Sequence, residues 1–252
     1  MTIPEFFQEH PVAAVAFSGG VDSAWLLHEA AAYARQTAAY YVRTPFQPDF
    51  ELSDAQAAAE RLGVSLTVLD FDILTVPEAA ANPPDRCYYC KRALFTLLVD
   101  RARADGFPVV LDGSNASDDA GDRPGMRALR ELGVLSPLRA CGVTKAEIRR
   151  QSRAAGLAVW NKPSYACLAT RIPAGTPITA RDLIRVAEGE GALMALGLTD
   201  FRLRLRGEDG LLQVRPEQQA LARELLADPP AALTRNFRAV TLDETPRETR
   251  ET

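Results

Sequence analysis

The sequence predicts an α/β fold, a doubly wound parallel sheet followed by a small C-terminal α+β part. Over residues 12–160 short apolar runs alternate with helical patterns, the order that sandwiches a parallel sheet between helices. A glycine turn joins the first run to the first helix. After residue 161 the alternation stops and hairpin signals take its place.

The elements follow in order. Val12–Phe17 (VAAVAF) reads as a buried strand and Ser23–Arg35 as a helix. Thr37–Val42 is the second strand. Ser53, with Gln56 in the capping-box position, opens a helix that Gly63 stops. Val64–Phe71 is the third strand, residues 88–104 are helical, and Pro108–Leu111 is the fourth strand. Thr144 and Glu147 make a second capping box for a helix to Ala155, and Leu157–Trp160 is expected as a fifth strand. Residues 161–178 (NKPSYACLATRIPAGTPI) show no periodicity, and a loop that long in a compact domain is usually functional. A helix over Thr179–Leu196, a hairpin of Phe201–Arg206 and Leu211–Arg215, a helix over Pro216–Leu226 and a strand at Phe237–Leu242 complete the chain.

Composition narrows the function classes. With 47% hydrophobic residues the chain can bury a real core. The 29 basic and 33 acidic residues give a net charge of −4, which offers no general affinity for nucleic acid. No apolar run approaches the roughly 18–20 residues of a membrane span, and MTIPEFFQEH lacks the pattern of a secretion signal. A cytoplasmic protein is expected, where four cysteines argue for metal or catalytic thiols over disulfides.

Ser18-Gly19-Gly20-Val21-Asp22-Ser23 lies between strand and helix. Paired glycines let backbone approach phosphate, and helix-terminal N–H groups with two hydroxyls donate to it. Asp22 beside phosphates implies a bridging Mg²⁺. Ser18, Gly19, Gly20, Asp22 and Ser23 are therefore candidates for a metal-bound nucleotide, which the resemblance that follows makes ATP, with Arg43, just past the second strand, as a further nucleotide contact. SGGVDS resembles the PP-loop signature of enzymes that split ATP between its α and β phosphates and attach AMP to a carbonyl or carboxylate oxygen.

The cysteines point to sulfur. Cys87-Tyr88-Tyr89-Cys90-Lys91 opens a helix, a placement expected to lower thiol pKa through the helix terminus, Arg86 and Lys91. Cys167 sits in the long loop near Arg171, and Cys141 stands apart. A structural zinc site wants four ligands, and neither His10 nor His28 is spaced to supply one. Three cysteines suit an iron–sulfur cluster with one open iron; two core thiols are the plainer alternative.

PDRCYYCK, DGSNASDDAGDRPG, LGVLSPL, TKAEIR and KPSYACLATRIPAGTPIT, in that order, resemble the LarE family from about residue 12 to residue 216. That resemblance implies an ATP-dependent sulfur transferase acting on pyridinium-3,5-dicarboxylate mononucleotide in nickel-pincer cofactor synthesis, which serves lactate racemase. It places Cys167 at the family's reactive cysteine. Some members sacrifice that sulfur and keep dehydroalanine; others, with the extra CxxC pair, hold a [4Fe-4S] cluster through three cysteines. Cys87, Cys90 and Cys167 are expected here to follow the cluster route. Thr170 replaces a common serine and keeps the hydroxyl.

Arg202, Arg204 and Arg206 alternate along one strand face, either as solvated surface or as a seat for carboxylates and phosphate. The resemblance sets Arg202 and Glu190 near functional positions, and Thr170 and Arg171 join them as substrate-site candidates. Asp118 and Asp119 either assist Mg²⁺ or cap a helix. The expected organisation is a PP-loop domain over 1–165, a small substrate and sulfur-transfer domain over 166–242, and a disordered tail over 243–252. The expected partners are a small-molecule nucleotide and further copies of the chain, with neither nucleic acid nor membrane. Two rival readings are a PP-loop thiolase acting on tRNA and a zinc-stabilised nucleotide sensor without turnover.

Overall fold

The computed structural model describes residues 1–118, 124–245 and 247. After α1 (Ile3–Glu9) come β1 (Val12–Ala16), α2 (Val21–Tyr33), β2 (Gln36–Arg43), α3 (Asp49–Arg61) and β3 (Leu66–Asp70). Then follow α4 (Pro77–Ala80), α5 (Arg86–Ala104), β4 (Val109–Leu111), α6 (Pro124–Glu131), α7 (Pro137–Ala140) and α8 (Lys145–Ala154). The C-terminal part holds α9 (Ala180–Ala195), β5 (Arg202–Arg206), β6 (Asp209–Gln213), α10 (Gln219–Ala227), α11 (Ala231–Asn236) and β7 (Val240–Leu242).

The first sheet is parallel throughout, in the order β3-β2-β1-β4, and the fold is the expected doubly wound α/β type. Strand side chains alternate faces, so β1 and β2 feed two cores. Ala13, Val15, Ala39 and Tyr41 pack with α1, α2, α3 and α8; Ala14, Ala38 and Tyr40 pack with Leu98, Val99 and Ala102 of α5 and Leu129 of α6. All four strands end toward the loops that carry Ser18, Thr44, Phe71 and Gly113. Ligands of such sheets bind at this edge.

Three expectations are corrected. Leu157–Trp160 is a hydrogen-bonded turn, with Trp160 N donating to Leu157 O, and Leu135 makes an isolated bridge to Leu111 of β4. A short apolar run cannot be told from a buried turn by pattern alone, and Leu157 and Val159 pack on the first core. Helix α3 begins at Asp49 behind Pro48, so Ser53 lies inside it and caps nothing. Asp49 and Glu51 favour that earlier start, because carboxylates stabilise a helix N-terminus. The capping of α8 by Thr144 is real, although Glu147 bonds Gln151 and not the cap.

The second sheet, β5-β6-β7, pairs β5 with β6 antiparallel and β6 with β7 parallel. Its core also takes in Phe46, Ile73 and Ala79 from the first half, with Tyr89, Cys90 and Leu94 of α5 against it. Of the stretch expected as a disordered tail, Asp243 and Arg247 are held to β6 and its continuation: Asp243 N donates to Leu212 O and Arg247 N to Val214 O. No described helix is long and apolar enough to cross a membrane.

Candidate functional site

The phosphate loop is built by crowding. Gly19 has φ +71, and a Cβ there would lie 3.1 Å from Ala55 of α3. It therefore needs both glycine's conformational freedom and its lack of a side chain. Gly20 caps α2. Ser18 N donates to Ser23 Oγ, and that hydroxyl donates to Gly20 O at 3.1 Å. Gly113, at the end of β4, backs the loop: a Cβ there would stand 3.0 Å from Ser23 N and 3.3 Å from Asp22 C.

Asp22 decides what this loop can hold. Its Oδ2 accepts from Lys145 Nζ at 2.6 Å, while Oδ1 is buried without a hydrogen-bond partner. Burial raises the Asp22 carboxyl above its usual range against the opposing pull of Lys145, and Asp118 adds to the rise. An orphaned carboxylate oxygen with a second carboxylate nearby is an acceptor set suited to a divalent cation. Mg²⁺ completes its shell with water and phosphate, so one or two protein carboxylates suffice. Asp118 also accepts from Asn115 N, ordering its own turn; Asp119 lies outside the described residues.

The sequence reading missed Lys145. It opens α8, 123 residues from Asp22, and only the wound topology brings the two together. A lysine directly after a capping threonine was the available signal. Arg43 is elsewhere: exposed at the end of β2, it pairs with Asp70, and none of its hydrogen bonds reaches the phosphate loop.

A second group gathers around Cys167, which precedes a tight helical turn at Leu168–Arg171. Leu168 N donates to Phe46 O, tying this loop to the end of β2. Cys87 and Cys90 lie in the first turns of α5, Cys87 exposed and Cys90 partly buried. Burial pushes the Cys90 thiol up to about 12, with Cys167 and Cys87 adding to the rise, and it raises Cys167 as well, where Cys87 adds. The lowering expected from the helix terminus does not occur at Cys90, because desolvation outweighs Arg86 and Lys91. Among the described residues no three His, Cys, Asp or Glu side chains close around a single metal ion. A four-iron cluster spaces its thiolates more widely than one ion does, and its donors are cysteine thiolates, the type gathered here.

Arg171 is 1% exposed and Glu190 2%. Arg171 Nε and Nη2 donate to the two oxygens of Glu190 at 2.8 and 2.9 Å, and Nη1 donates to Ala166 O, Cys167 O and Thr170 Oγ1. Glu190 also accepts from Leu203 N and from the Tyr165 hydroxyl. Arg202 is no solvated surface. It is buried over the Tyr165 ring, donating to Phe201 O and Ser164 O, with no carboxylate of the described residues on its guanidinium. Burial, with Arg171 and Arg247 nearby, pushes it down to about 10, so a nearby anion would be stabilised. Arg204 donates to Thr170 O, and Arg206 is exposed. A cavity of about 490 Å³ is lined by Arg86, Cys87, Thr170, Arg171, Arg204 and Arg206 among others.

Helix α3 links the two groups, with Ala55 on Gly19, Asp54 ion-paired with Lys162, and Phe50 edge-on to Tyr165. Burial pushes Glu51 of this helix up to about 7 from 4.5, with Lys162 and Arg171 opposing and Asp54 adding. Folding then takes up a proton between these values, so stability falls as pH rises from about 4.5 to about 7. Glu51→Gln is expected to match the wild type near pH 4 and to exceed it near pH 8 by on the order of 2 kcal/mol. Urea titrations at the two pH values check this; an equal gain at both would exclude the buried charge as its cause.

No family model matches the chain. An uncharacterized protein of Synechocystis is 37% identical over 215 residues, covering 85% of this chain and 80% of the relative. A Lactiplantibacillus plantarum protein named pyridinium-3,5-bisthiocarboxylic acid mononucleotide synthase is 32% identical over 196 residues, covering 77% of this chain and 71% of the relative. The chain belongs to the LarE family. A match more distant from this LarE chain, 29% identical over 183 residues, is a tRNA-specific 2-thiouridylase of Frankia alni, of which 52% is covered.

Proposed function

We propose that this chain is an ATP-dependent sulfur transferase that adenylates the carboxylates of pyridinium-3,5-dicarboxylate mononucleotide and converts them to thiocarboxylates. One observation carries the reading: Cys87 opens into the same cavity as Arg204 and the exposed Arg206. Guanidinium groups bind carboxylate and phosphate in bidentate fashion, so an anionic nucleotide held there lies beside the sulfur donors.

ATP lies over Ser18–Ser23, whose hydroxyls and helix-terminal N–H groups face its phosphates. Asp22, with Asp118 near, would hold Mg²⁺, which would supply positive charge against that developing on the phosphates. Lys145, freed from Asp22, is the cation placed to follow the leaving pyrophosphate. A substrate carboxylate oxygen attacks the α-phosphorus, the bond to the bridging oxygen breaks, and pyrophosphate leaves. A sulfur nucleophile then adds to the acyl carbon and AMP departs. Cys87, Cys90 and Cys167 would hold a [4Fe-4S] cluster whose open iron supplies sulfide for that transfer.

The test is a reaction of anaerobically purified protein with Mg-ATP, the dicarboxylate mononucleotide and added sulfide. AMP, pyrophosphate and a thiocarboxylate product are expected over repeated turnovers, with brown absorbance that Cys87→Ala or Cys90→Ala removes. A single turnover in which iron-free protein loses the mass of one hydrogen sulfide molecule would replace the cluster by sacrifice of Cys167. Turnover on tRNA in place of the mononucleotide would replace the substrate.

A further inference from the structure

We infer that Asn82 and Arg86 form a positioning clasp that holds the Cys167 loop against the cysteine turn of α5. The inference rests on the proposed function in one respect, that the three thiols act as one centre.

Asn82 lies between α4 and α5 with φ +56 and is 0% exposed. That left-handed backbone costs a residue with a Cβ, and glycine would adopt it freely. The side chain must therefore contribute something glycine cannot, and every polar atom of the residue is used. Nδ2 donates to Pro173 O at 2.9 Å and to Thr176 O at 3.0 Å, across 91 and 94 residues of sequence. The backbone carbonyl accepts from Gly175 N at 2.8 Å, and the backbone N–H donates to Ala79 O. Oδ1 accepts from Arg86 Nη1, which also donates to Ala169 O.

The bonded residues fix what the clasp joins. Arg86 directly precedes Cys87, and Ala169 stands two residues after Cys167. Ile178 N donates to Ala80 O at 2.7 Å and closes the far end of the loop. The loop over residues 161–178 has no helix or strand beyond the short helical turn at Leu168–Arg171. Its other anchors are the guanidiniums of Arg171, Arg202 and Arg204 on its carbonyls and the Leu168 N–H on Phe46 O. Buried hydrogen bonds to three loop carbonyls set how closely Cys167 can approach Cys87 and Cys90. Supporting contacts of this kind govern ligand placement at metal and catalytic centres.

Anaerobic reconstitution of the reduced protein with sulfide and equal amounts of ferrous and ferric iron tests this, with iron per chain and brown absorbance as the readouts. The mixture already has the oxidation level of the cluster, so no further electrons are needed. Wild type and Cys141→Ala are expected to take up about four irons per chain. Asn82→Asp, which keeps size and Arg86 pairing but loses both Nδ2 donors, is expected to lose that iron to a chelator about 10- to 100-fold more readily. Asn82→Gly, which keeps the backbone conformation, is expected to do the same, with Mg-ATP affinity unchanged in both. Wild-type iron retention in both variants would overturn the clasp alone. Joint loss of iron and Mg-ATP binding would also overturn it, since Asn82 would then be a folding residue only. Failure of the wild type to take up iron through the three thiols would remove the shared-centre reading, and the clasp with it.

Discussion

Glu190→Ala is expected to lower the melting temperature by about 10 °C. Glu190 satisfies two donors of the buried Arg171, the Leu203 N–H and the Tyr165 hydroxyl. Its removal leaves a guanidinium without counter-charge in the interior, a loss of about 3–5 kcal/mol. Arg171 also grips the carbonyls of Ala166 and Cys167, so sulfur transfer should fall together with stability. Replacing both partners with apolar residues should recover part of the stability and none of the transfer. Calorimetry of the single and double variants checks this, and a single variant melting with the wild type would show the pair to be energetically idle.

Asp22→Ala is expected to slow AMP and pyrophosphate formation by at least about 100-fold while the protein stays folded. On the proposed reading it removes the metal-facing carboxylate and leaves Lys145 unpaired. A stability cycle separates those roles. Lys145→Met strands a carboxylate whose pKa burial already raises, so it should destabilise, whereas adding Asp22→Asn should restore stability. A coupling of about 1–3 kcal/mol is expected from urea denaturation. Additive losses would show that the 2.6 Å pair contributes nothing to the fold, and unchanged pyrophosphate release by Asp22→Ala would sink the adenylation mechanism.

What was legible in the sequence was local. Ser18–Ser23 could be read as a turn between strand and helix because its neighbours in sequence are its neighbours in space. Thr144 announced its helix for the same reason. Lys145 was missed because its partner is set by a wound sheet and not by spacing. Gly113 was missed because the need for an absent Cβ exists only once β4 lies against α2. The Cys90 thiol was misjudged since charge near a sulfur can be read from sequence and desolvation cannot. Arg202 could be solvated surface or an anion seat by its alternation alone, and only the fold buries it against the carbonyls of Phe201 and Ser164.

The shared second core bears on inheritance. Phe46, Ile73 and Ala79 are emplaced among side chains that arrive more than ninety positions later, such as Leu183 and Leu203. A protease nick or a truncation near residue 165 would therefore strip cover from both pieces, leaving greasy faces that clump instead of two working modules. The two parts that share this core cannot be shuffled separately between genes, and recombination must pass them on as one unit.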